Sequence, residues 1–595
     1  MLFCSLEEKL LKAHNELKDF ERKINTKKLD IKKERIKAKK EKLVQKKYDI
    51  EEEYITRHNK EGLYVGIGVN LQTLKKEPLL LPWKNFYNHS AIFGTTQVGK
   101  TKFLLSFVRQ NILKGDNVLI MDPKAGKEHE ILNKLFEFVH EADRHKDFSY
   151  INPLSPKSTD YFNPLYGLGD DEIASLIATI LYPNPQGDGE FYSGNAFAIL
   201  KVVLYSLSFL EKIGDEDGEY RKKKEKEEYI KYIKLMELRN ENLRSYDFKN
   251  ELMFPDVAEK LFAEMKDFEI EEEGIFNRSF LTFQDLLYYT TVEKLKILKE
   301  TVFAIPVDKK DFELMRIKKE LVLLWEKIDE ISPEHRAKIS VSLSNFLSNI
   351  GTGELGKIFC TIKINPILSK IANPERGLIL LLHPFPLKFK KISEFVNKIL
   401  IKVFESLFGI VSVSGRMLGN KRLWAHLDEG EAAIYPGIES LLNKGAGLGF
   451  TINIYTQSLA DLESKMGTIL AKVSRDSLNT YFVLKMNEEH SIDSMIRAFG
   501  IINTTNTNIV GGSRGMGINF SRSTESILNS SSIMNLQPAE GFVKNMGKYW
   551  KVNFPIMPDR DSRYLIEPET TEDEKMFRRM IELEKELEKL GEADV

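Results

Sequence analysis

The sequence predicts an α/β domain with a mostly parallel sheet, interrupted by an all-α insertion domain and preceded by charged helices. Short apolar runs alternate with amphipathic segments over 61–165 and again over 373–566, as expected for parallel strands that helices bury on both faces. Residues 166–372 show helical periodicity without strand-like runs. Residues 1–60 are highly charged and, from 5 to 58, free of Pro and Gly. These observations together predict the fold class.

The composition is that of a globular protein with more than one domain. A chain of 595 residues exceeds what one hydrophobic core organises, and its 42% hydrophobic and 29% charged residues are ordinary values. Two cysteines, Cys4 and Cys360, are too few for a disulfide framework or a four-cysteine zinc site. They favour a reducing compartment. The formal net charge of −1 identifies no partner by itself.

Neither a targeting segment nor a membrane span is predicted. Acidic side chains occur too early in the N-terminal segment for a secretory signal. No run of about 18 or more uncharged apolar residues occurs, so a spanning helix is not expected. We therefore expect a cytoplasmic protein without a transmembrane segment, with peripheral association at the inner face of the cell membrane as the alternative.

The N-terminal segment 1–60 is predicted to form one or two long charged helices, with an irregular coiled-coil seam. Between Glu21 and Lys47 it has 13 basic and 4 acidic side chains, an excess of 9 positive charges. Such a face suits DNA or an anionic membrane surface. A solvated helix used for self-association is the other interpretation. A second charged helix is predicted at the C-terminus, over 567–595.

A phosphate-binding loop is predicted between a short buried strand, "SAIF", and an amphipathic helix, "KFLLSFVRQNILKG". The pattern G-x-x-x-x-G-K-T runs from Gly94 to Thr101. Its backbone N–H groups would surround phosphates, Lys100 would reach the β- and γ-phosphates, and the Thr101 hydroxyl would bind Mg²⁺. ATP and Mg²⁺ are therefore the expected ligands. The predicted ATP-binding residues are Gly94, Thr95, Thr96, Gln97, Val98, Gly99, Lys100 and Thr101.

Carboxylates are predicted at the end of a second buried strand, in "RLWAHLDEG". Open α/β sheets place their ligands at the carboxyl ends of strands. Asp428 would bind the metal ion, and Glu429 would polarise the attacking water. The strand "NVLIMDPK" also ends in a carboxylate, Asp122, which either contacts the metal or caps the turn. We favour the structural role for Asp122.

A third polar strand end follows in "FTINIYTQS", where Gln457 comes directly after the apolar run. A polar side chain at the tip of a strand beside the carboxylate strand is suited to sensing the γ-phosphate and transmitting hydrolysis to a moving part. The alternative is that Gln457 caps the helix that follows. Lys100, Glu429 and Gln457 are the predicted catalytic residues.

These motifs carry a family resemblance. "FGTTQVGKT", "MDPKAG", "YFNPL", "LDEG" and "LLNKGAGLGFTINIYTQSLADLESKMG" resemble the TraD-like conjugative coupling proteins, most closely the branch of SXT/TOL-type integrative elements. These are FtsK/HerA-related ATPases of type IV secretion. The resemblance covers roughly 62–560. It implies a RecA-like P-loop NTPase domain in two parts, 61–165 and 373–566, around the insertion at 166–372.

The resemblance also implies a function and partners. Such proteins form homo-hexameric rings that hydrolyse ATP, receive DNA bound to a relaxase and pump it toward a type IV secretion channel. The insertion would face the cytosol and receive the relaxase–DNA substrate. Basic channel loops would contact the DNA backbone, and Lys124, Lys127 and Lys444 are candidates.

The sequence departs from the family pattern in two places. Family members usually begin with transmembrane helices, whereas this chain begins with charged helices. Many relatives have an arginine for the neighbouring subunit's γ-phosphate where this chain has Ala446, so Lys444 or Arg475 would have to substitute. Three alternatives stay open: a soluble HerA/FtsK-like DNA translocase used in DNA processing or defence, a non-enzymatic scaffold that binds ATP to lock a ring, and an accessory protein that tethers DNA at the membrane.

Overall fold

The fold of the protein is described from a computed structural model. The structure describes residues 2–25, 33–123, 130–152, 159–160, 163–165, 168–182, 187–214, 281–308, 310–360, 370, 377–383, 395–405, 421–430, 438–466, 478–512 and 515–555. Chain contacts divide the described residues into two compact units. The first lies within Met1–Arg144 and Phe408–Ser562, and the second lies within His145–Leu407. The predicted domain boundaries stay a prediction.

Helices and strands are numbered in chain order. The helices are α1 Leu2–Asn25, α2 Lys33–His58, α3 Lys100–Lys114, α4 Glu130–Glu141, α5 Asp170–Leu181, α6 Asp188–Gly214, α7 Phe283–Tyr289, α8 Val292–Ala304, α9 Phe312–Glu330, α10 Pro333–Gly351, α11 Gly353–Phe359, α12 395–405, α13 Ile438–Leu448, α14 Leu459–Met466, α15 Glu489–Phe499 and α16 Ser530–Met534. The strands are β1 Gly62–Asn70, β2 Lys76–Pro82, β3 Ser90–Phe93, β4 Asn117–Met121, β5 Phe148–Ile151, β6 Ile379–Leu382, β7 Leu423–Leu427, β8 Phe450–Thr456, β9 Thr480–Val483, β10 Ile501–Gly512, β11 Gly515–Ser526, β12 Glu540–Asn545 and β13 Lys548–Asn553.

Nine strands of the first unit form one mixed sheet in the order β2-β1-β13-β12-β9-β3-β8-β7-β4. The strands β9, β3, β8, β7 and β4 are mutually parallel and buried along their whole length. Their uninterrupted apolar runs favour this position, because helices cover both faces of a parallel sheet. The α/β fold with a mostly parallel sheet is confirmed. We call the edge at which these five strands end the carboxyl edge.

The sheet is extended on one side by the antiparallel strands β12, β13, β1 and β2, and the sequence analysis did not identify the hairpin β12–β13 among them. A two-residue turn, Met546-Gly547, joins β12 to β13, and both of its residues have positive φ. This is the conformation of the hairpin turn whose twist matches that of the strands. β12 pairs with β9, and β13 pairs with β1. The segment was missed because its apolar runs, Phe542-Val543 and Tyr549-Trp550, are only two residues long.

The predicted N-terminal charged helices are two helices that pack on the first unit. Leu10 of α1 joins Tyr54 and Ile55 of α2 in an apolar cluster with Tyr64 and Ile67 of β1. Lys46 of α2 also forms an ion pair with Glu16 of α1, with 2.8 Å between Nζ and Oε2. The helix pair therefore contributes core to the nucleotide-binding unit, although most of its exposed surface is charged.

In the described part of the second unit lie the helices α5–α12 and the parallel pair β5–β6. The described residues of 166–372 form no strand, in agreement with the predicted helical character. One helix in the described part of the chain is long and apolar enough to cross a membrane, at 188–210 of α6. More than half of that segment is buried, and α6 packs against α5, α9 and α8, which is the environment of a core helix.

The polar segment 503–530 is mostly a two-stranded antiparallel hairpin. β10 and β11 pair in register from Ile501–Ser526 to Gly512–Gly515. The hairpin forms a sheet of its own. The predicted C-terminal helix at 567–595 lies outside the described residues.

Candidate nucleotide site

The phosphate loop predicted from the sequence lies between β3 and α3, at the carboxyl edge. Its backbone enters the left-handed region at Gln97, with φ 62°, and at Gly99, with φ 103°. Alternation of this kind turns successive N–H groups toward one concavity, which is a general anion-binding arrangement. Gly94 is needed for a different reason: a Cβ there would lie 2.9 Å from Leu484 Cβ and 3.0 Å from Val98 Cγ2.

Backbone hydrogen bonds hold the loop from three sides. The Gly94 N–H donates to the Thr456 carbonyl at the end of β8, with an N···O distance of 3.2 Å. The Thr95 N–H donates to the Lys485 carbonyl after β9, at 2.9 Å. The Val98 carbonyl accepts from the Ala539 N–H at 3.3 Å. The loop is therefore fixed by both neighbouring strands and by the segment that precedes β12.

Charge favours an anion in this concavity. The N-terminal N–H groups of α3 and the helix dipole make the start of the helix positive. Lys100, the first residue of α3, is buried to 6% exposure, and Thr101 is half-buried beside it. The arrangement suits a phosphate group.

The predicted carboxylates follow β7 in a tight turn. Asp428 is buried, and its N–H donates to the Met121 carbonyl of β4 at 3.0 Å. The Glu429 N–H donates to Asp428 Oδ1 at 3.1 Å, which orients the aspartate side chain. Glu429 itself is half-buried and has φ 44°, a strained conformation for a residue with a side chain. At Gly430, a Cβ would lie 2.4 Å from Ile454 Cγ2.

Gln457 lies between the loop and the carboxylates. β8 pairs with β3 on one side, Phe93 opposite Thr456, and with β7 on the other, Leu427 opposite Ile454. Adjacent strands are about 4.8 Å apart, so the tips of β3 and β7 are separated by about 10 Å, with the tip of β8 between them. Gln457 is half-buried. A γ-phosphate bound to the loop would lie within this width.

The segment after Gln457 is fixed by capping bonds of Ser458. Ser458 Oγ donates to Asp461 Oδ2 at 2.7 Å and accepts from the Asp461 N–H at 3.2 Å. Ser458 therefore caps α14 in place of Gln457. This cap favours the predicted role of Gln457 as a ligand-binding side chain at the carboxyl edge over the alternative that Gln457 caps the helix.

Other predicted residues lie elsewhere or outside the described chain. Asp122 is buried at the end of β4, one strand further from the loop than Asp428. Lys444 is exposed on α13, close to the start of β8 and thus near the opposite edge of the sheet from Gln457. Arg475, Lys124 and Lys127 lie outside the described residues.

The structure also reveals a buried polar group beside the site that sequence reasoning missed. His426 of β7, two residues before Asp428, contacts Tyr455 of β8 and Asn111 of α3. Burial lowers the pKa of His426 to about 3, so its ring is neutral at pH 7. Burial and the Asp428 charge raise the pKa of Tyr455 well above its ordinary value. The only available signal was a histidine inside an otherwise apolar strand.

Comparison with known proteins supports the resemblance. The family model described as the TraM recognition site of TraD and TraG matches residues 422–538, a segment that contains Asp428, Glu429 and Gln457. The type 4 coupling protein DotL of Legionella pneumophila is 23% identical over 137 residues, which is 21% of this chain. The match spans 17% of DotL's length.

A solved structure shows the same fold. The bacterial conjugative coupling protein TrwBdeltaN70, in its unbound monoclinic form, aligns with 86% of this chain and 93% of its own, with a TM-score of 0.52 at 14% identity. At that identity the similarity concerns the fold alone. The phosphate loop, the carboxylate strand, the family-model match and the fold together confirm the resemblance of this chain to the TraD-like conjugative coupling proteins, with a RecA-like P-loop NTPase fold.

Proposed function

We propose that this protein is a conjugative type IV coupling ATPase, which receives relaxase-bound DNA and pumps it toward a secretion channel. The observation that carries the proposal is the strand order β3-β8-β7, which brings the phosphate loop, Gln457 and the Asp428-Glu429 pair to one edge of the sheet. Two of these three elements lie in the segment that the coupling-protein family model matches.

ATP would bind with its phosphates in the loop from Gly94 to Thr101. The N–H groups of the loop and the first turn of α3 would donate to the phosphate oxygens, and the buried Lys100 ammonium would neutralise the β- and γ-phosphates. The bonds from Gly94 to Thr456 and from Thr95 to Lys485 preorganise the loop. Binding therefore requires little rearrangement of the backbone.

The residues present fit a Mg²⁺ ion bound together with the nucleotide. The Thr101 hydroxyl and the Asp428 carboxylate are oxygen ligands of the kind that Mg²⁺ prefers, and phosphate oxygens and water complete such sites. Within the described residues, no group of three or more His, Cys, Asp or Glu side chains offers a site made by the protein alone. The ion would neutralise charge that develops on the phosphate oxygens.

Hydrolysis would depend on Glu429 and Gln457. Glu429 would accept a proton from the attacking water, for which its position just beyond the metal ligand Asp428 is suited. Gln457, at the tip of the strand between the loop and the carboxylates, would hydrogen-bond the γ-phosphate and register its loss. α14 begins two residues later, so this change would reach the helix directly.

We further propose that the protein works as a homo-hexameric ring on the cytoplasmic side of the cell membrane. DNA would be drawn through the ring by contacts with its phosphate backbone, independent of sequence. Relaxase and type IV secretion channel proteins would be the partners. The soluble HerA/FtsK-like translocase is not favoured, because the relatives named by the comparisons are coupling proteins.

The test is ATP turnover by the full chain, measured with and without single-stranded DNA. We expect DNA-stimulated hydrolysis that Lys100→Ala abolishes, because the loop loses its phosphate-binding cation. The matched control is Lys102→Ala, which removes an exposed lysine one half-turn along α3 and leaves turnover unchanged. Turnover that survives Lys100→Ala, or that does not respond to DNA, would overturn the proposal. Recovery of nuclease partners instead of relaxase or channel proteins would favour the translocase in DNA processing or defence.

A further inference from the structure

Three fully buried polar side chains connect the three elements of the site. Asn111 lies on α3, His426 on β7 and Tyr455 on β8, and each is 0% exposed. His426 Nε2 is 3.0 Å from Asn111 Oδ1, and His426 Nδ1 is 3.0 Å from the Tyr455 hydroxyl oxygen. We call these residues the buried triad. Each member comes from an element that ends or begins at the carboxyl edge.

The chemistry of the ring makes the arrangement directional. Asn111 Oδ1 faces His426 Nε2. Because an amide oxygen can only accept, Nε2 bears the proton and donates to it. Nδ1 then has a lone pair, and the Tyr455 hydroxyl donates to it. One neutral histidine therefore satisfies one partner on α3 and one on β8. The aromatic ring of Phe107, also on α3, packs edge-on against His426 at 5.1 Å between centroids.

The positions along each element relate the triad to the proposed chemistry. On a strand, residues two apart point to the same face. His426 and Tyr455 come two residues before Asp428 and Gln457, which lie just beyond the ends of β7 and β8. His426 pairs with Asn453, two residues before Tyr455, so His426 and Tyr455 lie on one face of the sheet. Because Asn111 of α3 bonds to His426, this is the face on which α3 lies. Displacement of any triad member would move a carboxylate or the glutamine relative to the phosphate loop.

We propose that the buried triad positions the tips of β7 and β8 against α3, so that Asp428, Glu429 and Gln457 meet a nucleotide held by the loop. The triad residues are positioning residues: they lie inside the unit and act through their neighbours on the strands. This proposal rests on the proposed ATPase function. Displacement of about 1 Å at a reacting group is sufficient to slow catalysis severely. Loss of a triad bond should therefore slow turnover more than it weakens nucleotide binding.

The test compares Tyr455→Phe with Tyr64→Phe in the full chain. Tyr64 is also a buried tyrosine of the first unit, and its hydroxyl donates to Glu51 Oε1 of α2 at 2.9 Å. Each variant removes one buried hydroxyl and leaves its ring. We expect Tyr455→Phe to lower kcat by about tenfold, with little change in KM for ATP. Tyr64→Phe should leave kcat unchanged, and both variants should lower Tm to a similar extent.

A second measurement and a rescue separate positioning from general damage. Calorimetric affinity for ADP, which has no γ-phosphate, should be the same for Tyr455→Phe as for the wild type. His426→Leu should lose more turnover than Tyr455→Phe, and His426→Gln, which keeps one donor and one acceptor, should recover part of it.

Two results would overturn the proposal. One is a kcat of Tyr455→Phe equal to that of Tyr64→Phe, and the other is a parallel loss of kcat and ADP affinity in Tyr455→Phe. Failure of the underlying function looks different, since the wild type itself would then show no turnover that depends on Lys100. That result would remove the ATPase proposal and this one together.

Discussion

The two ends of helix α3 have different neighbours. Its first turn forms the phosphate loop with strands that end at the carboxyl edge. Its third turn lies against the N-terminal helix pair, β1 and α4, through Arg109 and Gln110. Arg109 is 5% exposed and pairs with Glu141 at 2.6 Å and with Glu52 of α2 at 3.4 Å. The helix that would bind nucleotide is thus anchored by a charged segment that looked separate in the sequence.

Gln110 makes two hydrogen bonds to the backbone of β1 on this side. Its Oε1 accepts from the Tyr64 N–H at 2.8 Å, and its Nε2 donates to the Tyr64 carbonyl at 3.0 Å, so one side chain satisfies both backbone groups of a residue in β1. Glu51 of α2 accepts from the Tyr64 hydroxyl at 2.9 Å. The comparison teaches that the first turn of α3 presents N–H groups and Lys100 at the carboxyl edge, whereas its third turn is held in place by side chains of neighbouring elements.

The largest expected effect is on the catalytic side. Glu429→Gln removes the proposed proton acceptor and keeps the size of the side chain, so ATP turnover should fall by at least about 100-fold. Nucleotide affinity should persist, because the loop and Lys100 are untouched. Steady-state kinetics and calorimetry measure the two quantities. Glu489→Gln, at an exposed glutamate of α15, is the control that should keep wild-type turnover. A Glu429→Gln variant with normal kcat would remove Glu429 from catalysis.

A smaller effect is expected from the opposite end of α3, and it should appear in stability. Gln110→Leu leaves the buried Tyr64 N–H and carbonyl without their bonds to this side chain, at a cost of about 2 kcal/mol in the free energy of unfolding. Urea denaturation of the full chain measures it. Gln45→Leu removes an exposed glutamine bond to Asp49 on α2 and should cost much less. Equal losses in the two variants would mean that the Gln110 contact does not anchor the helix.

The smallest expected effect depends on pH. Burial, together with nearby Lys47, lowers the pKa of His14 on α1 to about 3. In the unfolded chain His14 binds a proton below about pH 6.5, whereas in the folded chain it stays neutral down to about pH 3. The free energy of unfolding is therefore highest above pH 6.5 and falls as the pH drops. At pH 5.5, His14→Gln should reduce this loss of unfolding free energy by on the order of 1 kcal/mol.

Buried His89 and His426, whose pKa values are lowered to about 4 and about 3, contribute in the same direction. The measurement is therefore the difference in unfolding free energy between His14→Gln and the wild type, followed from pH 7.5 to pH 5. A constant difference over that range would show that the pKa of His14 is the same in the folded and unfolded chains.

The elements that could be predicted from the sequence are those specified by a short run of consecutive residues. The phosphate loop is readable because eight consecutive residues carry its chemistry. The strands of the carboxyl edge are readable because each is a short apolar run. The Asp428-Glu429 pair is readable because it follows such a run. β12 and β13 were missed because their apolar runs are only two residues long. The buried triad was missed because Asn111 is 315 residues from His426 in the chain.

The sequence by itself determined the nucleotide loop, the polar residues at the strand ends and the helical character of the insertion, since each depends on neighbours within a few residues. Only the tertiary structure decided that β8 lies between β3 and β7, so that Gln457 comes between the loop and the carboxylates. The tertiary structure also decided that the charged helix pair contributes to the core beside α3. Strand order and helix docking depend on burial summed over distant segments, which no local pattern specifies.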